Sequence, residues 1–493
     1  MFHFDADKLF RLFAYNPAEP LIFNSGLFLF LFTAFLIVYT RASHTYRPKL
    51  LFVTIFSLYF YYKSSGVYFL LILVSTVCDF NLARLLHHTI EIWRRKLLVA
   101  ITLIINLGML GYFKYTNFIY ESFFWNSDRD FQPLDIFLPV GVSFFTFQSL
   151  SYTLDVYRRR ITPEKNILDY AFFVTFFPQL VAGPIVRAAD FLPQIHKPTI
   201  VTNEMFGRGI FLIGTGLFKK AVISDYISVN FVDRVFDSPL LYTGIENLFA
   251  IYGYALQIYC DFSGYSDMAI GLALILGFTF PLNFNAPYKS KNITEFWRRW
   301  HISLSSWLRD YLYISLGGNR KGKLRMYINL MITMMLGGLW HGASWRFILW
   351  GTLHGAGLAV HKFFRSIVPA DQNSRYQSVL NILKVLVTFH FVCFCWIFFR
   401  VPNVDSAWEM IEQVYSNFSP GIFGQMVVGY KQVMGLMILG YLIHFVPEKY
   451  ELQFQQRVSN APLVMKALYL FVTIMIVIQV KSAEVQPFIY FQF

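Results

Sequence analysis

The segment "GGLWHGASW" (residues 337–345) places a titratable residue, His341, inside one of the most apolar regions of the chain. An ionisable group inside a membrane segment is costly, so it indicates a functional site unless a backbone carbonyl satisfies the ring. Trp340 and Trp345 would wall the ring off from water, and desolvation disfavours the charged imidazolium form. The three glycines of the segment allow another helix or a ligand to approach closely. A neutral imidazole in a dry site can accept a proton from a hydroxyl, so we predict that His341 is a general base.

A second histidine, His301, lies in the basic segment "ITEFWRRWHISLSSWLRDYLYI" (293–314). Apolar residues recur there at helical spacing, and Asn292 or Thr294 could cap the start, so the pattern predicts one amphipathic helix. Such a helix would lie in the membrane interface with its tryptophans at the acyl boundary, as a surface anchor or as part of a binding site. His301 favours the second alternative, because it falls on the side that faces protein or lipid. The apolar stripe consists of Phe296, Trp300, Leu304, Trp307, Tyr311 and Ile314.

Polar residues interrupt two further apolar segments. "YCDFSGYSDMAIG" (259–271) contains Asp261 and Ser263, and it predicts a broken helix or a tight interfacial turn that lines a cavity. "FFPQLVAGPIVRAADFLPQI" (176–195) contains Gln179 between prolines and glycines, and it predicts a re-entrant segment buried in protein. Asp261, Ser263 and Gln179 are therefore candidates for substrate contact, although both segments could also be purely structural turns.

The remaining histidines and cysteines give no metal-binding signature. His354 and His361 are seven residues apart and could share a metal, but no carboxylate or cysteine completes the set, so packing is the favoured interpretation. The four cysteines lie in or beside apolar runs without metal-ligand spacing. The sequence contains no HExxH motif, P-loop, dinucleotide fingerprint or GxSxG elbow. We therefore predict no metal site and no resident cofactor.

The elements that position these residues are membrane helices. Of the 493 residues 56% are hydrophobic, 19% are aromatic and only 14% are charged, which excludes an ordinary water-soluble enzyme. Apolar runs recur along the whole chain, and the shorter ones must tilt, borrow polar flanks or re-enter, because a spanning helix needs about 20 residues. We therefore predict an all-α, polytopic integral membrane protein in which residues 1–493 form a single membrane domain.

The net charge of +13 follows the membrane topology. The connections 41–49, 84–96 and 158–165 are basic, whereas 114–135 is acidic through Glu121, Asp128, Asp130 and Asp135. This alternation fits the positive-inside rule, so the basic face is predicted to be cytoplasmic and no nucleic-acid partner is needed. Residues 281–325 form a basic insert with nine Lys/Arg against two acids, a net charge of +7. That charge suits a polyanionic donor such as coenzyme A or an acidic carrier protein.

Five ordered motifs resemble the membrane-bound O-acyltransferase family, in particular its bacterial branch that O-acetylates alginate or D-alanylates teichoic acids. The motifs span most of the chain, and the order of all five makes the resemblance specific. They are "LPVGVSFFTFQSLSYTLDVYR" (138–158), "FFPQLVAGPIVR" (176–187), "YCDFSGYSDMAIG", "FNAPYKSKNITEFWRRWHISLSSWLRDYLYISLGGNR" (284–320) and "GGLWHGASW", and the terminal "FIYFQF" (488–493) extends the match.

The resemblance implies a ring of helices around a central tunnel, with re-entrant and interfacial helices, in the bacterial inner membrane. His341 matches the family's essential histidine and His301 its more variable second polar position. The donor thioester would enter from the cytoplasm and the acceptor from the far side or the membrane. "SLGGNRKG" (315–322) resembles the acetylating members, which favours acetyl over D-alanyl.

Together these features predict an O-acetyltransferase that passes acetyl from acetyl-CoA toward an exopolysaccharide or a periplasmic SGNH-type partner acetyltransferase. His301 would orient His341 or share its proton. The oxyanion would need hydrogen-bond donors, for which the Trp, Asn or Ser side chains from Trp300 to Asn319 are candidates. Alternatives are D-alanyl or other acyl transfer to an envelope polymer or lipid, and a proton-coupled transporter. The sequence does not distinguish among alginate, cellulose, peptidoglycan, a protein serine and a lipid as the acceptor. The predicted substrate-contacting residues are Trp300, Arg309, Asp310, Asn319, Trp340, Gln179, Asp261 and Ser263.

Overall fold

The computed structural model describes residues 11–17, 19–124, 132–367, 376–480 and 488–489. Within these ranges the chain forms helices joined by short connections, and no β-strand occurs, so the all-α prediction is confirmed. The acidic residues Asp128 and Asp130, and the last four residues of "FIYFQF", lie outside the described ranges. The predicted ring around a tunnel stays a prediction.

The chain divides into two compact units. Unit 1 comprises residues 1–209 and 269–281, and unit 2 comprises residues 210–268 and 282–493. Two long helices, Asn203–Leu217 and Gly244–Ile275, have residues in both units. The predicted single membrane domain stays a prediction.

Unit 1 is built mainly from apolar helices. Its α-helices are α1 (Gly26–Ala42), α2 (Tyr46–Ser65), α3 (Phe69–His88), α4 (Ile92–Leu110), α5 (Thr116–Phe124), α6 (Val142–Tyr157), α7 (Ile167–Thr175), α8 (Phe177–Leu180), α9 (Ala188–Ile195) and the start of α10 (Asn203–Leu217). A 3₁₀ turn, Gly66–Tyr68, joins α2 to α3, and a π-helical stretch, Gly111–Tyr115, joins α4 to α5.

Aromatic packing fixes the short helix α8 in unit 1. Phe177 begins α8 and is fully buried, and Pro178 follows it at a position where the missing N–H costs no helical hydrogen bond. The ring of Phe177 packs against six phenylalanines of α1, α2 and the segment before α1, with centroids 5.1 to 6.5 Å apart. The segment around Gln179 is therefore interrupted and buried in protein, as its prolines and glycines predicted.

Unit 2 contains the remaining helices. They are the end of α10, α11 (Asp225–Ile227), α12 (Asp233–Asp237), α13 (Gly244–Ile275), α14 (Ile293–Arg299), α15 (Ile302–Trp307), α16 (Lys323–His341), α17 (Trp345–Ile367), α18 (Gln377–Arg400), α19 (Val404–Ser416), α20 (Phe423–Gly429), α21 (Lys431–Phe445), α22 (Glu448–Asn460) and α23 (Leu463–Val480). Three π-helical stretches (Phe218–Ser224, Ser228–Val232, Leu308–Tyr313) and three 3₁₀ turns (Pro239–Leu241, Pro287–Lys289, Pro420–Ile422) complete the unit.

Several helices can cross a membrane. Among the described residues, four helical segments are long and apolar enough: Tyr46–His88, Ile92–Phe123, Gln377–Arg400 and Leu463–Val480. A fifth span is possible where the segments Pro420–Gly429 and Lys431–Phe445 meet at an angle of 94°. The helix α1 is apolar but has only 17 residues. A polytopic membrane protein is therefore confirmed, and many of its apolar runs are divided into shorter helices.

The prediction of a broken helix or turn at "YCDFSGYSDMAIG" is wrong, because the segment lies inside the continuous 32-residue helix α13. Its polar residues are tolerated there because ion pairs and hydrogen bonds satisfy them. Lys219 Nζ lies 2.7 Å from the Asp267 carboxylate, and Lys220 pairs with Asp261. Buried charges that are paired and hydrogen-bonded need no break in the helix.

The prediction of one continuous amphipathic helix over 293–314 is also wrong. The α14 helix ends at Arg299, and His301 takes the left-handed backbone conformation (φ 44°, ψ 53°) before α15 begins. The capping prediction is confirmed for Asn292, whose side chain accepts a hydrogen bond from the Glu295 N–H. Most of the predicted apolar stripe is buried, but Trp300 and Trp307 lie inside the protein rather than at an acyl boundary.

Candidate functional site

The histidine of "GGLWHGASW" lies at the end of a tightly packed helical hairpin. His341 is the last residue of α16 and only 3% of its surface is exposed. The hairpin of α16 and α17 closes at glycines, because the Cα of Gly351 is within 3.2 Å of the position that a methyl group on Gly338 would occupy. The helix end and the glycine contacts together fix the backbone position of His341.

Aromatic rings surround His341 on several sides. The ring centroids of Trp340, Trp350 and Phe399 lie 5.0, 5.2 and 5.3 Å from the imidazole centroid. Trp350 and Phe399 meet the imidazole edge to face, which is the favoured geometry for aromatic pairs. An imidazole enclosed by aromatic rings can act as a base when it is neutral.

The second histidine is fully buried at the break between α14 and α15. His301 is 0% exposed, and its backbone occupies a region that non-glycine residues rarely adopt. Its Nδ1 lies 3.3 Å from the Oδ1 of Asn283, and its ring packs edge to face on Phe262 at 4.5 Å. Uncommon backbone conformations of this kind persist when surrounding contacts fix them, and they are concentrated at functional sites.

The fold brings the two predicted histidines together. The imidazole centroids of His301 and His341 are 6.4 Å apart, although the residues are separated by most of the basic insert and the whole of α16. Trp340 contacts both rings, with centroids 6.1 Å from His301 and 5.0 Å from His341. Within the described residues no carboxylate or cysteine joins them as a third metal ligand. The arrangement is suited to proton transfer between a base, a neighbouring ring and a bound hydroxyl.

Asn283 is a central residue of this site that the sequence reasoning missed. Its Oδ1 accepts hydrogen bonds from the Ser303 hydroxyl at 2.9 Å and the Ser303 N–H at 3.3 Å, and it lies beside His301. Its Nδ2 donates to Ser266 Oγ on α13 at 3.0 Å, and its carbonyl accepts from the Ile302 N–H at 2.9 Å. A single amide therefore joins α13 to the break that holds His301. No local sequence pattern identifies Asn283, because only the fold brings its hydrogen-bond partners close to it.

The change Asn283→Ala is expected to lower the free energy of unfolding by about 1–3 kcal/mol, because buried partners of the amide lose their hydrogen bonds. The measurement is thermal unfolding of the purified protein in detergent. Asn230→Ala is the matched control, since the Asn230 amide donates one bond, 2.9 Å long, to the nearby Tyr226 carbonyl. Equal shifts in the two variants would contradict a bridging role for Asn283.

The other predicted site residues occupy different environments. Trp300 and Trp340 are buried, 1% and 4% exposed, and line the aromatic surroundings of the histidines. Asp261 carries an ion pair with Lys220, and it also accepts a hydrogen bond of 3.0 Å from the Ile489 N–H. Ser263 is buried on α13, and none of the described residues donates a hydrogen bond to its hydroxyl or accepts one from it.

Three predicted residues lie in the more open part of the insert, and one lies in the other unit. Arg309 pairs with the adjacent Asp310 at 2.6 Å, and the arginine side chain is 64% exposed. Asn319 is exposed. Gln179 is fully buried in unit 1, where its amide donates to the Phe173 carbonyl.

His354 and His361 each bond to a residue of α14. His354 is fully buried and accepts a hydrogen bond of 3.3 Å from the indole of Trp297. His361 Nδ1 lies 2.9 Å from the Thr294 hydroxyl. Both rings therefore join α17 to α14, as the packing interpretation predicted.

Comparison with known proteins adds an independent line of evidence. The family described as MBOAT, membrane-bound O-acyltransferase family, matches residues 156–400. A peptidoglycan O-acetyltransferase of Helicobacter pylori is 38% identical over 80% of this chain and 79% of its own length. A probable alginate O-acetylase of Pseudomonas aeruginosa is 42% identical over 80% of this chain and 75% of its own length. A teichoic acid D-alanyltransferase of Bacillus subtilis is 30% identical over 52% of this chain and 67% of its own length.

Proposed function

Because the chain belongs to the membrane-bound O-acyltransferase family, we propose that it transfers acetyl from a cytoplasmic thioester to an extracytoplasmic acceptor. Its membrane location and its acyltransferase activity follow from that membership, as the sequence motifs predicted. The identity of the transferred acyl group is a separate part of the proposal. Relatives named O-acetylase or O-acetyltransferase are 38% and 42% identical over 80% of the chain, whereas the D-alanyltransferase of Bacillus subtilis is 30% identical over 52%.

The observation that carries the proposal is the buried pair His301 and His341. In the proposed reaction, the neutral imidazole of His341 removes the proton from an acceptor hydroxyl as its oxygen attacks the thioester carbonyl. The tetrahedral intermediate then collapses, the carbon–sulfur bond breaks, and the thiolate takes the proton back from the imidazolium. The products are an acetyl ester and a free thiol, and the histidine ends in its starting form.

His301 is proposed to act as a positioning residue in this reaction. Its ring is held by the Asn283 contact and by Phe262, so it offers a fixed neighbour 6.4 Å from the His341 centroid. A hydroxyl bound between the two rings would be oriented by one and deprotonated by the other. Hydrogen-bond donors near Trp300 or Trp340 are the candidates for stabilising the oxyanion.

The basic insert supports a polyanionic donor, for which acetyl-CoA is the proposal and an acyl carrier protein the alternative. Seven of its cationic side chains are exposed and therefore available to phosphates: Lys291, Arg298, Arg309, Arg320, Lys321, Lys323 and Arg325. The positive-inside rule favours the cytoplasm for this face, which fits an inner-membrane enzyme. The acetyl group would then pass to a polysaccharide directly or through a periplasmic SGNH-type acetyltransferase.

Sided proteoliposomes test the proposal. Acetyl-CoA labelled in the acetyl group is placed on the side of the basic insert, and alginate or peptidoglycan fragments on the other side. We expect label to appear as ester on a saccharide, with release of free coenzyme A. A parallel reaction with a D-alanyl-loaded carrier protein should give no product. Ester formation only with D-alanine would contradict the acetyl assignment, and solute uptake without any acylated product would contradict the mechanism.

A further inference from the structure

A histidine and two carboxylates converge in unit 1, apart from the residues used for acyl transfer. Glu164 lies in the connection after α6, Asp169 in the first turn of α7, and His196 at the C-terminal cap of α9. One potential ligand atom from each side chain lies within 4.8 Å of the other two. The sequence spacing gave no signal for this cluster, because the fold brings three separate segments together.

Among the described residues, no lysine or arginine balances the charges of the two carboxylates. Asp169 is only 5% exposed, and no described residue donates a hydrogen bond to its Oδ1. Within the described part of the chain neither carboxylate has a lysine or arginine ion pair, and Glu164 pairs only with His196, at 3.2 Å. Two nearby carboxylates, one of them buried, are costly unless a cation compensates them.

One tautomer of His196 could bind a cation through Nε2. Its Nδ1 lies 2.9 Å from the hydroxyl of Tyr46, and that hydroxyl is close enough to Asp169 to interact with its carboxylate. If Nδ1–H donates to Tyr46, the lone pair of Nε2 points toward Glu164, whose two carboxylate oxygens lie 3.2 and 3.3 Å away. An unprotonated nitrogen facing a carboxylate is repulsive without an ion between them. A hydrogen bond that fixes the second nitrogen is typical of metal-binding histidines.

We propose that Glu164, Asp169 and His196 bind a divalent transition-metal ion, with Zn²⁺ as the best match. One imidazole nitrogen and two carboxylate oxygens supply three protein ligands, which leaves a fourth tetrahedral position for water. The ion would replace the missing positive charge and connect α7, α9 and the connection between α6 and α7. Small side-chain movements would bring the ligand atoms to the usual zinc distances of about 2.0–2.2 Å.

The test uses the full chain, purified in detergent through an affinity tag without histidine and stripped with a chelator. Titration calorimetry with Zn²⁺ and elemental analysis should give about one bound ion per chain. His196→Gln should abolish this binding, and Tyr46→Phe should weaken it by about 10- to 100-fold, because it removes the group that orients the ring. His390→Gln is the matched control, since its ring is exposed on α18 in unit 2. X-ray absorption of the zinc-loaded protein should show only nitrogen and oxygen ligands.

The outcomes separate a metal site from a simple ion pair. His196 is 45% exposed, so His196→Gln should fold even if Asp169→Asn does not. Loss of zinc in His196→Gln but not in His390→Gln supports the proposal. No zinc in the wild-type protein, or equal zinc in His196→Gln, would overturn it and leave His196 as a hydrogen-bonding partner of Glu164. Because the readout is bound metal and not activity, the result is independent of the proposed acetyl transfer.

Discussion

Replacing His341 with alanine is expected to reduce the rate of acyl transfer by about 10²- to 10⁴-fold, the usual contribution of a general base. The imidazole is the group proposed to remove the acceptor proton, and Trp340, Trp350 and Phe399 enclose it. Binding of the donor should change much less, because the exposed cations of the insert are untouched.

The measurement is the initial rate of labelled ester formation in proteoliposomes that contain equal amounts of inserted protein. His390→Ala is the control for loss of a histidine from unit 2, since its ring lies exposed on α18 and bonds to the Tyr252 hydroxyl at 2.9 Å. That control should keep the wild-type rate. A His341→Ala protein that is inserted normally and acetylates at the wild-type rate would refute the assignment of the base.

Replacing Gly338 with alanine is expected to remove activity by a different route, although every polar residue of the site is retained. A methyl group there would overlap the backbone carbonyl oxygen of Phe347 on α17, and the Cα of Gly351 would be 3.2 Å away. Backbone atoms cannot move aside as a flexible side chain can, so α16 and α17 must separate. Overpacking of this kind costs about 1–3 kcal/mol. It would also displace His341, which lies about one turn after Gly338 on α16.

Thermal unfolding in detergent and the acetylation rate of Gly338→Ala should therefore both fall. Gly435→Ala is the matched control, because Gly435 lies within α21 and, apart from its chain neighbours and its own helix backbone, no heavy atom of the described residues comes within 4 Å of the added methyl group. Alanine is the better helix former by up to about 1 kcal/mol, so the control should be as stable as the wild-type protein or slightly more stable. If Gly338→Ala behaved like Gly435→Ala, the close helix contact would not be what positions the histidine.

The sequence by itself determined the class of molecule and the identity of its chemistry. Apolar runs predicted helices and membrane spans, because burial of backbone polar groups in lipid leaves few alternatives. His341 was proposed as the general base from its apolar surroundings and from the resemblance to a family, and this role stays a prediction. The Asn292 cap followed from residue type and position, since its hydrogen bond is made to a residue three positions away.

Only the tertiary structure decided how distant residues combine. The left-handed backbone at His301 coincides with contacts of Asn283, and helical periodicity could not predict a break at a residue that continues the pattern. Asp261 and Asp267 suggested a broken helix, but the fold pairs them with Lys220 and Lys219, so the helix continues. The His301–His341 pair and the Glu164–Asp169–His196 cluster have the same origin. Local patterns report which side chains are buried, whereas the partner of each buried polar group is set by long-range packing.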